Sequence, residues 1–375
     1  MANMSAFTAS MENRNRAQDY PYAADWQAHI PIYDGDQLRA ISPTERAQVR
    51  AEWAQCWQHQ AGVIVVRKLF AEAPVVDAMT KVYDQLLQAQ EATQAEHNLG
   101  DHFAPMGANG RVWNCLEKAA VLAPQAFIDY YSNPLLAEVC EAWLGPDYQL
   151  TSQVNLVYPG GAAQQPHRDY HLGFTTDAEV ARYPLHVQVM SAMLTLQGAV
   201  AHVDMPIESG PTMLLPYSQR YDAGYGLYRD PDFMAYFAEY AVQLPLQKGD
   251  GVFFNPALMH AAGANVSTDV KRMANLLQVS SAFAKPMESL NHQHMQLACY
   301  PHLAKADLTE QQLLAVASAI SDNYPFPTNL DRDQPETSLR PHSGRDILLQ
   351  AVAQQYSLQD FSKALQQLHW RKQSS

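Results

Sequence analysis

Basic residues are scarce in this chain: 25 lysines and arginines stand against 38 aspartates and glutamates, for a formal net charge of -13. No cluster of Lys and Arg breaks that balance, which argues against a nucleic-acid partner, because phosphate neutralisation needs clustered cations. Cysteine is equally thin. Cys56, Cys115, Cys140 and Cys299 stand alone, with no CxxC pair, so neither a disulfide scaffold nor a thiolate zinc site is expected and a reducing interior fits best. Long apolar runs are missing too. No window approaches the roughly 18 apolar residues of a membrane helix, and the opening stretch MANMSAFTASMENRNRAQDY carries no apolar core of the secretory kind. The expectation is a cytoplasmic protein with no membrane partner.

What is present is core-forming material. With 47% hydrophobic and 10% aromatic residues over 375 positions, the chain can bury a large interior, and wholesale disorder does not fit. Residues 1–25 are polar and aperiodic and read as a flexible leader. Ser42, Pro43 and Glu45 make a helix start, Val49, Trp53 and Trp57 follow at helical spacing, and the helix should stop near Gly62. GVIVV reads as a strand, and APVVDAMTKVYDQLLQAQ as a further helix. TSQVNLVY alternates, with Thr151, Gln153 and Asn155 on one face; that face is either a solvated sheet surface or the wall of a polar pocket. LHVQVMSAMLTLQ, PTMLLP, AVQLPL, GVFFNP and RMANLLQVSSAF add strands broken by Gly and Pro turns, the pattern of a barrel or jelly-roll sandwich. After Pro301, LTEQQLLAVASAI and RDILLQAVAQQY return to helix. The expected organisation is a leader over 1–25, a mainly β domain with N-terminal helices over 26–300, and a helical extension over 301–375 packed on that domain.

The chemistry starts at PHRDYHLGF. In an extended segment alternate side chains share a side, so His167 and Asp169 can clasp one ion. Alone the pair means little, since about one H-x-D match arises by chance in a chain of this composition. Weight comes from KGDGVFFNPALMHAAGANVSTDVKRMANLLQVSS, where His260 follows a strand-like GVFF and Arg272 opens the next strand. Two imidazoles and one carboxylate on one side of a metal leave positions open for oxygen and a co-substrate. A guanidinium can grip a dicarboxylate through two parallel hydrogen bonds.

These pieces resemble the phytanoyl-CoA dioxygenase family of iron(II)- and 2-oxoglutarate-dependent oxygenases, from about Trp53 to Ala284. WAQCWQHQAGVIVVRKLF is similar to the family's opening helix and strand. PHRD is similar to its proximal H-x-D, ESGPTMLLPYSQR to its glycine-proline strand and P-x-S-H turn, and GDGVFFNPALMHAAGANVSTDVKR to its distal histidine segment. One departure is Gln219, where the turn usually ends in histidine. The resemblance implies a double-stranded β-helix, a jelly-roll and cupin-like fold, with helices flanking it at both ends. It implies iron(II) on His167, Asp169 and His260, with 2-oxoglutarate chelating the metal and pairing its far carboxylate with Arg272. Asn155 and Gln153 are the expected hydrogen-bond partners of the co-substrate, with Thr151 behind them. The implied reaction consumes O2, releases succinate and CO2 and oxidises a small molecule, by C–H hydroxylation first and by desaturation or cyclisation as options. Acyl-CoA thioesters, amino-acid-like solutes and natural products of secondary metabolism are all open as substrates. Halogenating relatives replace the aspartate by a small residue, so Asp169 speaks against halogenation.

Two other readings use the same residues. A zinc hydrolase can employ two histidines and an aspartate, but it gives Arg272 no task. A cupin-like binding or sensory protein could keep the fold without turnover. His292 and His294 in NHQHM read as a solvated loop, and Trp53, Trp57 and Trp143 as core. Arg168, Tyr170 and His171 flank the triad and are candidates for substrate contact, His171 also as a spare imidazole. A homodimer is one option, and the C-terminal helices are candidates for a lid or a dimer contact.

Overall fold

The computed structural model describes residues 3–12, 14–97, 109–335 and 338–374. Among the described residues ten strands form: β1 Asp25–Gln27, β2 Ile30–Asp34, β3 Val63–Arg67, β4 Asn109–Val112, β5 Gln149–Val157, β6 Thr195–Ala201, β7 Thr212–Leu214, β8 Gly251–Phe254, β9 His260–Ala262 and β10 Arg272–Ser280. Eight of them make one sheet in the order β1-β2-β3-β8-β6-β10-β5-β4, and β7 pairs with β9 in a second, two-stranded sheet. The large sheet is mixed: β2 and β3 run parallel, and the other neighbours run antiparallel. Helices flank it.

Register decides what faces inward. Across β5, β10, β6 and β8, Gln153 sits beside Leu276, Ala199 and Val252, and Thr151 beside Gln278, Gln197 and Phe254. The period of two then sends Val154 and Val200, both fully buried, to the opposite face, into the main hydrophobic cluster with Trp53, Trp57, Tyr83 and Tyr130. One face therefore packs against helices while the other lines a cavity.

Local sequence explains the elements that hold this sheet. Ser42 accepts a hydrogen bond from the Glu45 amide and Glu45 reaches back, a capping box that starts the helix Pro43–His59. That helix buries Val49, Trp53, Cys56 and Trp57, and the Trp57 indole donates to the Phe253 carbonyl at 3.1 Å. Gly62 ends the segment at φ +78. The helices after residue 291 belong to the same interior, since Met295, Tyr300, Ile320, Leu348 and Phe361 join the main cluster.

The structure departs from the sequence reading in four places. Within the leader, Met4–Ser10 forms a helix capped by Asn3, and Phe7 is buried edge-on against Phe233 and Tyr236; residues 1, 2 and 13 lie outside the described residues. LHVQVMSAMLTLQ divides: Leu185–Met193 is helical and β6 begins only at Thr195, because a short apolar-rich stretch suits either state. AVQLPL makes only isolated bridges, Val242 to Leu214 and Leu246 to Met205, as Pro245 has no amide to donate to a ladder. NHQHM is the first turn of a helix, His292–Leu303, capped by Asn291, with Pro301 tolerated near its end.

Candidate metal centre

The segment carrying His167 and Asp169 is pinned by its backbone. The His167 amide donates to the His260 carbonyl at 2.9 Å, the His260 amide returns the bond at 3.1 Å, and the Asp169 amide donates to Pro256 at 3.0 Å. This bridge brings the two imidazoles together with ring centroids 4.5 Å apart. Asp169 lies between them, Oδ1 3.8 Å from Nε2 of His167 and Oδ2 3.5 Å from Nε2 of His260. One ligand atom from each of the three falls within 4.8 Å of the others.

The hydrogen bonds also set the tautomers. Nδ1 of His167 faces the Gln165 carbonyl and Nδ1 of His260 the Leu258 carbonyl, each at 2.8 Å. A carbonyl only accepts, so in the neutral ring Nδ1 carries the proton and Nε2 offers a lone pair to the space beside Asp169. Burial, with the neighbouring His260 ring, pushes the His167 imidazole below its ordinary pKa. For Asp169 burial works upward, but contact with His260, the neighbouring His167 and the Gln197 amide outweigh it and hold the carboxyl well below the usual range. Neutral imidazoles with an ionised carboxylate are the donor set a divalent cation requires, so the residues fit such an ion.

Behind this triad opens a cavity of about 750 Å³, lined by His167, Asp169, His260, Arg272, Gln153 and Asn155 among others. Arg272 projects from the start of β10 and is 6% exposed. Its Nη1 donates to the carbonyls of Ser209 at 3.2 Å and Gly263 at 3.1 Å, and among the described residues no carboxylate pairs with it. Burial lowers its pKa to about 10, so it stays cationic at neutral pH. Asn265, fully buried, shapes the loop that delivers it: its Nδ2 donates to Val157 and Val270, and its Oδ1 accepts from Ser267. Gly210 lets that loop come close, because at φ +73 a Cβ there would sit 2.3 Å from the Ala264 carbonyl oxygen.

A family model described as phytanoyl-CoA dioxygenase matches residues 58–274, more than half of the 375 positions. The chain belongs to the phytanoyl-CoA dioxygenase family. Curated relatives include dioxygenase aneA of Aspergillus aculeatus, 24% identical over 238 residues that cover 62% of this chain and 72% of that protein. Dioxygenase cdmD of Talaromyces verruculosus is also 24% identical, over 63% of this chain and 76% of its own. Among solved structures, the carbocyclase SnoK of nogalamycin biosynthesis, described as non-heme and alpha ketoglutarate dependent, aligns over 69% of this chain and 91% of its own. The TM-score is 0.47 and the identity 18%. The protein is thus an iron(II)- and 2-oxoglutarate-dependent dioxygenase that uses O2.

In this phytanoyl-CoA dioxygenase homologue, six residues singled out from sequence share one cavity: His167, Asp169, His260, Arg272, Gln153 and Asn155. Thr151 does not join them as a donor to the cavity, because its hydroxyl is spent on the Gln278 carbonyl at 3.0 Å. The flanking candidates go elsewhere. Arg168 alternates away from the triad, fully buried, and donates to the carbonyls of Ser218 and Tyr221. Tyr170 reaches the Pro286 carbonyl at 3.4 Å, and Nε2 of His171 lies 3.3 Å from the Thr195 hydroxyl. His292 contacts the Ile320 carbonyl and His294 lies 3.5 Å from Glu117, so both belong to helix packing. Gln219, the departure from the family's turn, donates to the Gln60 carbonyl at 2.9 Å and closes the end of the preceding helix.

Among the polar residues of the cavity that sequence reasoning missed, two contact residues of the site directly. Arg111 on β4 lies opposite Asn155 and donates to Gln153 at 3.4 Å. Gln197 on β6 donates to Asp169 Oδ2 at 2.5 Å. The one available signal for Gln197 is a single polar residue inside the otherwise apolar run TLQGAVA.

Proposed function

We propose that His167, Asp169 and His260 hold iron(II), and that this dioxygenase hydroxylates a C–H bond of a small, largely apolar molecule on a double-stranded β-helix. The observation that carries the reading is the pairing, within one cavity, of two Nε2 lone pairs and a carboxylate with a buried guanidinium that has no carboxylate partner among the described residues.

Bound iron(II) supplies the activation of O2 that couples loss of CO2 from 2-oxoglutarate to oxidation of the substrate. The overall balance is R–H + O2 + 2-oxoglutarate giving R–OH + succinate + CO2. Arg272 grips the far carboxylate of 2-oxoglutarate; its geometry, fixed by the Ser209 and Gly263 carbonyls, aims the guanidinium rather than merely charging the cavity. Asn155 and Gln153 offer side-chain amides along the same wall, and the Asn155 Oδ1 is buried with no partner among the described residues. Ala199, Ala201, Ala274, Leu276 and Val252 supply the apolar part of that wall and keep water from the reacting carbon. A cavity near 750 Å³ is within the range of drug-sized sites, which suits a substrate of that order beside the co-substrate. The helices after residue 301 are proposed to be part of the same folding unit, on the strength of the shared interior.

The test is succinate release from 2-oxoglutarate by anaerobically iron-loaded protein on exposure to O2. The parent should show slow uncoupled turnover, H167A, D169A and H260A none, and R272A turnover only at 2-oxoglutarate concentrations about tenfold or more higher, the equivalent of one charge-assisted bond. A parent that takes up iron yet neither binds nor consumes 2-oxoglutarate overturns the proposal.

A further inference from the structure

Asp169 is the one ligand of the triad with two equivalent donor atoms, and an ionised carboxylate left to itself can meet a cation through one oxygen or both. That choice decides how many positions stay open. On the proposed metal centre, on which this inference rests, the co-substrate and O2 would need the positions that the three side chains leave open, so a second carboxylate oxygen would compete with them. Something must make the two oxygens unequal.

Gln197 does so. It stands at the middle of β6, flanked in the sheet by Gln278 on β10 and Phe254 on β8. It is 5% exposed, in a strand whose seven residues are all buried. A buried carboxamide in such a strand is costly unless its polar atoms are used. Its Nε2 is used, on Asp169 Oδ2 at 2.5 Å, while its Oε1 is buried without a partner among the described residues. The same Oδ2 lies 3.5 Å from Nε2 of His260, and Oδ1, on the His167 side at 3.8 Å, is left for the ion.

We infer that Gln197 is a positioning residue which occupies Oδ2 and so confines Asp169 to ligation through a single oxygen. It is not itself a ligand of the proposed metal centre and acts through Asp169. Because it is anchored in a strand hydrogen-bonded on both sides, its amide cannot follow the carboxylate if the latter rotates, which gives the restraint its stiffness.

Cobalt(II) is the probe, because its visible absorption reports coordination number without turnover. Full-length metal-free parent, Q197M and Q197N are titrated with Co2+ alone, and their thermal melts are recorded before metal is added. Met keeps the volume and removes the donor; Asn keeps the amide but is one methylene too short to reach. The parent should bind one equivalent. Each folded variant should bind 10- to 100-fold more weakly and give an altered visible spectrum, a change that mere loosening of the strand would not impose in the same way on both substitutions. If the parent binds Co2+ and the folded variants match it in affinity and spectrum, the assignment of Gln197 is wrong. If the parent itself binds no Co2+, the metal centre is wrong and the assignment falls with it.

Discussion

Glu288 carries a carboxyl that the site does not use, yet it stands against the cavity wall. Its Oε1 accepts the Asn114 amide at 2.7 Å, its Oε2 is buried without a partner among the described residues, and the preceding Met287 lines the cavity and meets the Gln153 amide at 3.5 Å. Burial pushes its pKa from the ordinary 4.5 up to about 7, against the smaller opposing effects of the Asn114 amide and Lys118. The sign follows from the direction. A carboxyl raised on folding contributes stability that is whole below about 4.5 and is lost as pH climbs through about 7. Melting temperature followed from pH 4 to 8 should therefore fall across that window in the parent, by an amount equivalent to roughly 3 kcal/mol at most, and E288Q should flatten the fall. Parallel curves for the two proteins would show that Glu288 does not titrate there. At this same scale the sequence was most legible for groups whose chemistry repeats in linear motifs: His167, Asp169, His260 and Arg272 each sit in a short pattern. Gln197 and Arg111 were not legible, because their meaning lies in partners on other strands, and a lone glutamine in TLQGAVA carries no mark of the aspartate it will meet.

Elements were legible where a local signal was redundant and illegible where tertiary contact decided. The helix Pro43–His59 announces itself by cap, proline and periodic apolar residues. The Met4–Ser10 helix has no such period and is held by Phe7 docking among Phe233, Tyr236 and Tyr221, which no neighbouring residue encodes. Leu185–Met193 is the converse: its mixed apolar and polar pattern LHVQVMSAM suits strand as well as helix, and position in the fold chose helix. The β6–β7 connection bears a sharper prediction. Gly210 combines a φ of +73 with the close approach of the Gly263 and Ala264 carbonyls, and the Gly263 carbonyl is one of the two that orient Arg272. G210A must push that loop away. The expected result is a loss of about 1 kcal/mol or more of stability together with weaker 2-oxoglutarate binding, while Co2+ binding, which depends on the His167–His260 bridge, stays within twofold of the parent. Loss of Co2+ and 2-oxoglutarate binding in equal measure would indicate general disruption instead.

For the whole molecule, the architecture expected from sequence and the observed one agree on a β core with helices to either side, and the observed sheet is mixed, with eight strands. Among the described residues no helix is long and apolar enough to cross a membrane. The C-terminal helices invite the thought of a lid, but Met295, Cys299, Tyr300 and Leu303 are buried against the rest of the core, as are Val316, Ile320 and Leu348. Removing the chain from residue 304 onward would uncover that apolar surface, and a protein of this class cannot leave so much exposed. Such a truncation should therefore give insoluble or molten protein, seen as loss of a cooperative melt, and a soluble variant with the parent's melting temperature would restore the lid interpretation.

The antiparallel bridge between His167 and His260 has a consequence in time as well as space. Its two halves come from distant parts of the chain and from opposite sides of the long insertion that carries β6, β7 and β8, and pairings of such separation form late, after the loops between them have closed. Until then the nascent chain offers a cation only the His167 and Asp169 fragment. On the proposed metal centre the complete ligand set is thus a product of the finished fold and not its seed, so the ion would be received by a molecule that has already assembled.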